Sequence, residues 1–184
     1  MSTLYIDRSV RDDSRGDWVE SLDLDDVDRI VVGTGPGSFA GIRSALAFAQ
    51  GYALGRPSCE VLGLPSACAL AGDGMLAVVG DARQGRFWVA LFDGFRMERE
   101  IFQTDVDGLA SAVPSGHMVT TPDADRIDDL LRGLFGDRYL GGRAPTSEGL
   151  RRFAEANPAI LRPEPLPLYL SPAVRSAALP GGVK

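Results

Sequence analysis

A glycine-rich turn between an apolar strand and a long apolar helix constrains this chain more than any other feature. The strand is Ile30-Val31-Val32, and the turn runs from Gly33 through Thr34, Gly35, Pro36 and Gly37 to Ser38. Residues 40–54 contain no proline and end at Gly55, so they predict a helix with Ser38 as its N-cap. This order of elements is typical of a mixed α/β domain.

The turn has two chemical interpretations. Free N–H groups at a helix N-terminus favour phosphate, so Gly33, Gly35, Gly37 and Ser38 are candidate phosphate contacts. The sequence lacks the Gly-Lys-Ser/Thr ending of a Walker A loop, however, and Pro36 removes one N–H group that a phosphate would use. The alternative is a tight turn that lets the helix pack close to the sheet. The residue pattern leaves both interpretations open.

The helix itself carries small residues on one side. Ala47, Gly51 and Gly55 stand four residues apart, and Ser44 extends the same stripe. Small side chains at this spacing let a second helix approach closely. A helix that is apolar on most sides is buried on most sides, either inside one domain or partly against another subunit.

Charge and composition limit the classes of function. The formal net charge is −6, so independent binding to nucleic acid is not expected. A single histidine, His117, excludes a zinc site built on a His pair and stands beside no nucleophile motif. Cys59 and Cys68 lie among apolar residues and are predicted to be buried free thiols. No segment is apolar over the length of a membrane span, and the sequence predicts a cytoplasmic protein.

The rest of the chain mixes strands with helices. Strands are predicted at 4–7, 59–62, 75–79, 86–92 and 95–103, and helices at 66–71, 106–113, 127–134 and 146–156, with a helical turn near 18–22 and an extended tail at 163–172. Residues 81–85 are predicted to be a turn. This order predicts an α/β fold that contains a hairpin over 87–103. Phe87 and Trp88 are neighbours on a strand, so their side chains point to opposite faces of the sheet. One is expected in the core and the other between the two halves of the fold.

Motifs recur in order along most of the chain. Residues 32–43 resemble the pattern Gly-x-Gly-Pro-Gly-Ser-Phe-Thr-Gly-Leu/Val-Arg, with Ala40 where Thr is usual. Residues 81–92 resemble Asp-Ala-Arg-x-Gly-Glu-Val-Tyr-x-Ala, and 167–170 resemble Pro-x-Tyr-Leu-Arg, with Ser171 where Arg is usual. Together these segments resemble the TsaB (YeaZ) family, whose members act in making the threonylcarbamoyladenosine of tRNA.

The resemblance implies an α/β fold of the actin/hexokinase-like (ASKHA, ribonuclease H-like) type, with two lobes. We expect an N-terminal lobe at 1–80, a C-terminal lobe at 81–172 and a tail at 173–184. Family members have a hairpin and a long helix before the Gly-Pro-Gly motif, and the span between Asp7 and Gly33 is too short for both. An abbreviated N-terminal lobe is therefore expected, with a sheet edge that self-association could cover.

The resemblance also implies a function. It predicts a non-catalytic subunit, without cofactor or metal, that pairs with the metal-containing TsaD subunit. TsaD transfers the threonylcarbamoyl group to adenosine 37 of tRNAs that read ANN codons, and a TsaE-like ATPase acts with the pair. In this role the chain would reach tRNA only through the complex. The predicted partner-interface residues on the helix are Ile42, Ser44, Ala45, Ala47, Phe48, Gly51, Tyr52 and Gly55.

Three other functions have to be compared with this interpretation. One is a metal-dependent peptidase, which the single histidine makes unavailable. Another is a weak nucleotide-binding protein that uses Gly33–Ser38, with Asp7 and Asp81 as acids at strand ends. Separately, Arg83 and Arg86 could meet phosphate, and a solvated turn is the alternative interpretation of these two residues. The third is a truncated, homodimeric paralogue with a structural role.

Overall fold

The computed structural model describes residues 2–10, 24 and 26–170, and every structural statement below is confined to them. The strands are β1 (Ser2–Ile6), β2 (Val27–Gly33), β3 (Glu60–Leu64), β4 (Met75–Arg83), β5 (Arg86–Asp93), β6 (Arg96–Met97), β7 (Phe102–Asp105), β8 (Met118–Thr121), β9 (Tyr139–Gly142) and β10 (Arg162–Pro163). The α-helices are α1 (Phe39–Leu54), α2 (Val106–Ala112), α3 (Ala124–Phe135) and α4 (Ser147–Ala156). In the described ranges, no helix has the length and apolar character needed to cross a membrane.

The first sheet has the strand order β1-β2-β3-β10. The first three strands are parallel, and β10 returns antiparallel to β3. The residues of α1 that face this sheet repeat at helical spacing, and Ile42, Ala45, Leu46 and Ala49 are buried there. The predicted helix over 40–54 is therefore confirmed to within one residue. Its predicted N-cap is also confirmed, because the Ser38 hydroxyl accepts the Gly41 N–H at 3.3 Å.

The second sheet has the order β6-β5-β4-β8-β9, and β7 also pairs with β5. The predicted strand over 95–103 is wrong as a continuous element, since β6 and β7 pair with opposite ends of β5 and residues 98–101 leave the ladder. The turn predicted over 81–85 is confirmed only at residues 84 and 85, because β4 continues through Arg83 with an irregular register after Asp81. At residues 66–71 the structure has a 3₁₀ turn, Ser66–Leu70, in place of a helix.

A central core joins the two sheets. Val31 and Leu64 of the first sheet pack in one cluster with Val78 and Phe92 of the second and with Phe153 of α4. The Phe153 ring meets Phe92 edge-on, with ring centroids 5.9 Å apart. A separate core lies on the other face of the second sheet, beneath α2 and α3. This shared core joins the two sheets. A cleft lies beside it, lined on one side by the glycine-rich turn and the start of α1 and on the other by strands of the second sheet.

The alternation predicted for the 86–92 strand is confirmed. Phe87 belongs to the outer core under α2 and α3, whereas Trp88 belongs to the central core and also lines the cleft. Among the described strands, β1 is at the edge of the first sheet. The helical turn predicted near 18–22 lies outside the described residues, and the lobe boundary at residue 80 stays a prediction.

Candidate functional site

The glycine-rich turn is packed tightly against the end of β1. A Cβ atom on Gly33 would lie 1.9 Å from Asp7 Oδ2, and one on Gly37 would lie 2.2 Å from the Ser9 carbonyl oxygen. Gly37 also has φ +153°, where side chains are strained. A Cβ on Gly41 would lie 2.0 Å from the Arg8 carbonyl oxygen. These glycines are therefore required by the close approach of two backbone segments.

The N–H groups of the turn are largely donated to the chain's own oxygen atoms. The Gly35 N–H donates to Ser66 Oγ at 2.9 Å, and the Ser38 N–H donates to the Ser9 carbonyl at 2.5 Å. The Gly41 N–H goes to the cap on Ser38. An anion cradle needs such groups free. The hydrogen bonds favour the tight-turn interpretation, and phosphate contact at Gly33, Gly35, Gly37 and Ser38 stays an untested prediction.

Asp7 connects β1 to this turn. Its Oδ1 accepts hydrogen bonds from the Ser9 N–H at 2.8 Å and from the Ser9 hydroxyl at 2.6 Å. Its Oδ2 lies beside Gly33, where the Ser66 hydroxyl is also close. Burial raises the pKa of the Asp7 carboxyl above its ordinary value, and the hydrogen bonds from Ser9 oppose that rise. The acid is thus part of the packing behind the turn.

A cleft of about 510 Å³ separates the turn from the second sheet. On its far wall, Arg126 Nε donates to Asp81 Oδ2 at 2.8 Å, and the same guanidinium also bonds to Asp123. The Asp81 N–H donates to Asp123 Oδ2 at 2.9 Å. Burial raises the pKa of the Asp123 carboxyl, while the Asp81 N–H and Arg126 oppose it. The charges on this wall compensate one another.

The other predicted polar residues are dispersed. Asp81 lines the cleft, whereas Asp7 packs against Gly33 and Ser9. Arg83 lies 3.5 Å from Asp81, and Arg86 donates to Gln103 at 3.2 Å. No three metal-ligating side chains come together in the part of the chain that the structure describes.

The single histidine and both cysteines are internal. His117 is buried, with Nε2 3.1 Å from a carboxylate oxygen of Glu98. Cys59 and Cys68 are buried free thiols, so that prediction is confirmed. Burial raises the pKa of both thiols, which favours their protonated form.

The outer face of α1 is exposed to solvent and carries little charge. Its exposed residues are Phe39, Ala40, Arg43, Ser44, Ala47, Gln50, Gly51, Leu54 and Gly55. We call these nine residues the α1 face. Arg43 is its only charged residue. Leu54 is 86% exposed and Phe39 is 50% exposed, so two large apolar side chains stand in solvent at opposite ends of the face.

The predicted interface residues fall into two sets. Ser44, Ala47, Gly51 and Gly55 lie on the α1 face, and a Cβ on Gly51 would meet no atom within 4 Å. The structure places the other four on the sheet side of the helix, where Ile42 and Ala45 are buried and Phe48 and Tyr52 are half-buried. In this chain Ile42 and Ala45 form the core beneath the helix, because successive helical residues turn by about 100°. The interface itself stays a prediction.

Sequence reasoning missed the aromatic end of the α1 face. The ring of Phe39 stacks on that of Tyr169, with centroids 5.5 Å apart and an interplanar angle of 29°. The guanidinium of Arg43 lies 4.9 Å from the centroid of the same Phe39 ring. Phe39 and Tyr169 both stand in the quoted motifs, but no periodicity connects residues so far apart in the chain.

The chain is similar in sequence to known proteins. Residues 20–122, just over half of the chain, match a family model described as TsaD: tRNA N6-adenosine threonylcarbamoyltransferase. Uncharacterized proteins Rv3421c of Mycobacterium tuberculosis and Mb3455c of Mycobacterium bovis are 42% identical over 81 residues, which is 41% of this chain. The matched part spans only 37% of the length of these relatives.

Solved structures show the same fold. Two structures from Pseudomonas aeruginosa, one titled as YeaZ and one as an uncharacterized protein with similarity to peptidase YEAZ, superpose with a TM-score of 0.63 at 21% identity. The match covers 83% of this chain and 78% of theirs. The α/β, actin/hexokinase-like fold and the resemblance to TsaB (YeaZ) are thereby confirmed.

Proposed function

We propose, since this chain belongs to the family described as TsaD: tRNA N6-adenosine threonylcarbamoyltransferase, that it acts in forming N6-threonylcarbamoyladenosine in tRNA. In this proposal it is a non-catalytic partner of a TsaD-type subunit, and the α1 face is where the two proteins meet. A TsaE-like ATPase subunit joins the pair, and tRNA is reached through the complex. The wider likeness to YeaZ structures supports the same role.

The composition of the α1 face is the observation that carries the proposal. Charged residues make up 24% of the chain, yet this exposed face has one charged side chain among its nine residues. Leu54 remains 86% exposed, which leaves a large apolar side chain in water. Depletion of charge around exposed apolar residues is typical of the buried centre of a protein–protein interface.

The paired groups of the cleft support a non-catalytic role. Asp81 and Asp123 are both bonded to Arg126, and the Gly35 and Ser38 N–H groups are donated to Ser66 and Ser9. A catalytic acid or an oxyanion site needs groups that can change partners during a reaction. The net charge of −6 supports contact with tRNA through a partner.

Binding of the full chain to a purified TsaD-type subunit from the same genome tests the proposal. Gly51→Glu places a charge on the α1 face, and Gly133→Glu is its matched control, because both are exposed helical glycines whose added Cβ meets nothing within 4 Å. We expect Gly51→Glu to weaken binding by about 100-fold and Gly133→Glu to leave it unchanged. Equal affinities for the two variants would contradict the proposed interface.

A deletion strain tests the cellular role separately. We expect the strain to lose N6-threonylcarbamoyladenosine from its tRNA and to regain it when the wild-type gene is restored. Restoration by Gly133→Glu but not by Gly51→Glu would connect the modification to the α1 face. Normal modified tRNA in the deletion strain, together with no binding to the subunit, would refute the proposal.

The cleft favours one second candidate, weak nucleotide binding. Its volume of about 510 Å³ lies in the range of small-molecule sites, and Gly37 and Ser38 line it. Titration calorimetry with ADP and Mg²⁺ decides this alternative. Heat of binding that Arg126→Ala changes would support it, and no heat at millimolar ligand would remove it.

A further inference from the structure

We infer that the cleft beside α1 binds a small organic carboxylate that has an apolar body and a second oxygen acceptor. In this arrangement the carboxylate accepts hydrogen bonds from the first N–H groups of α1. The second acceptor takes the indole N–H of Trp88. The inference concerns a ligand of this chain alone, so it does not depend on the proposed partner subunit.

Trp88 supplies the observation that points to a ligand. The residue is 2% exposed, and its ring covers Gly80 so closely that an added Cβ there would lie 2.2 Å from it. The indole N–H has no hydrogen-bond partner among residues 2–10, 24 and 26–170. The nitrogen is not fully enclosed by protein either, and Trp88 lines the cleft. Because a buried indole N–H is normally paired, an acceptor inside the cleft would complete this donor.

The first turn of α1 presents two more donors to the same cleft. The N–H groups of Phe39 and Ala40 precede the first hydrogen bond of this 16-residue helix, and neither has an acceptor in the part of the chain that the structure describes. Both residues line the cleft. The turn contains no acidic side chain, so the positive end of the helix dipole favours an anion there.

The number of available donors favours a carboxylate over a phosphate group. In the glycine-rich turn, the Gly35 and Ser38 N–H groups already donate to oxygen atoms of the chain. Two adjacent N–H groups match the two oxygens of a carboxylate. A phosphate group has more oxygen atoms to satisfy and carries up to two negative charges. The start of α1 is therefore better suited to an anion with one charge and two oxygens.

The far wall of the cleft also limits the charge of the ligand. Arg126 bonds to both Asp81 and Asp123, and Arg83 lies 3.5 Å from Asp81. These four residues line the cleft, and their two positive and two negative side chains compensate one another. The wall therefore adds no net attraction for a second negative charge on the ligand.

The rim beside the α1 donors is aromatic and apolar. The rings of Phe39 and Tyr169 stack with centroids 5.5 Å apart, and both residues remain half-exposed at the cleft. The Leu168 N–H donates to the Thr34 carbonyl at 2.8 Å, which holds this part of the rim against the glycine-rich turn. An apolar body would cover the rings while its carboxylate reaches α1. The cleft volume of about 510 Å³ is in the range of sites for small molecules.

NMR titration of the full chain with N-acetylphenylalanine tests the inference. This compound has a carboxylate, an amide carbonyl and an apolar ring, and the neutral N-acetylphenylalaninamide is its matched control. The chain has two tryptophans, so the indole N–H signal of Trp88 is the one that Trp88→Phe removes. We expect the acid to shift this signal and the amide signals of Phe39 and Ala40, with a Kd of about 1 mM. The neutral amide should bind at least about ten-fold more weakly. Equal affinities for the acid and the amide would overturn the inference.

Two substitutions at one position test the helix donors. Ser38 has φ −60° and ψ 111°, an extended conformation that suits a following proline, so Phe39→Pro removes one N–H group at a helix position that tolerates proline. Phe39→Ala is the matched control, because it also loses the ring but keeps the N–H. We expect Phe39→Pro to bind the acid about five-fold more weakly than Phe39→Ala does. The same affinity in both variants would overturn the placement of the carboxylate at α1.

Trp88→Phe tests the second acceptor. It keeps an aromatic ring in the core and removes the indole N–H, so it should weaken binding of the acid about five-fold. Wild-type affinity in this variant, or no shift of the Trp88 signal in wild type at about 10 mM acid, would overturn the inference. Shifts produced by ADP and not by the acid would assign the cleft to nucleotides and would also overturn it. Each of these results leaves the proposed function standing, because the partner subunit is absent from the titrations.

Discussion

The glycine-rich turn and the outer face of α1 follow one another in the chain, yet they use small residues in opposite ways. In the turn, a Cβ on Gly37 would lie 2.2 Å from the Ser9 carbonyl, so the space is already filled by the chain itself. On the helix, a Cβ on Gly51 would meet nothing within 4 Å. The first glycine permits internal packing, and the second leaves room for another protein. Two consecutive segments therefore contain a folding requirement and a candidate binding surface.

Gly37→Ala tests the filled side of this comparison and should have the largest effect. The added methyl would meet the Ser9 backbone, and alanine disfavours φ +153°. We expect the free energy of unfolding to fall by about 3 kcal/mol, measured by urea denaturation. An unchanged unfolding midpoint would show that the turn has room after all.

Ser66→Ala tests the hydrogen bonding behind the turn. Ser66 is fully buried, and its Oγ accepts the buried Gly35 N–H, which the substitution would leave without a partner. We expect a loss of about 1–3 kcal/mol in unfolding free energy. Ser44→Ala on the α1 face is the control and should change stability by less than about 0.5 kcal/mol, because its hydroxyl is exposed. Similar losses of unfolding free energy in Ser66→Ala and Ser44→Ala would show that the buried hydrogen bond behind the turn matters no more than an exposed one.

Gly51→Ala tests the open side of the comparison. A methyl group at this position meets no neighbour, and alanine is favoured over glycine inside a helix. We expect the variant to be more stable by about 0.5–1 kcal/mol in thermal or urea unfolding. Destabilisation would mean that another part of the chain already occupies the face.

The pH dependence of stability tests the burial of Asp7 and should be the smallest effect. Burial raises the pKa of Asp7 in the folded chain above its ordinary 3.8, so the folded state binds more protons than the unfolded state between these two values. Asp7 therefore makes the wild type lose stability as pH rises through that window. We expect the stability of Asp7→Asn relative to wild type to increase with pH there and to level off above it. A flat difference would contradict the burial of the carboxyl.

Much of the fold could be predicted because its signals are local. The helix 40–54, its Ser38 cap and the burial of both cysteines follow from residue type and spacing, and the structure bears them out. The prediction of one strand over 95–103 was wrong. β6 and β7 both pair with β5, and the residues between them are not paired as a strand. Propensity does not report where a partner strand stops pairing.

The site was less accessible to prediction because its contacts are remote in sequence. Phe39 and Tyr169 are separated along the chain by the whole second sheet, and they meet because β10 brings the chain back beside β3. The Ser9 carbonyl that accepts the Ser38 N–H comes from the end of β1. Neither contact has a period or a spacing in the sequence, so each could be found only from the assembled fold.

Hydrogen–deuterium exchange of the full chain, with and without the TsaD-type subunit, tests the central claim most directly. The account predicts slower exchange at residues 39–55 when the subunit is added, and no change in α3 (Ala124–Phe135). Protection confined to the second sheet, with the α1 face unchanged, would contradict it.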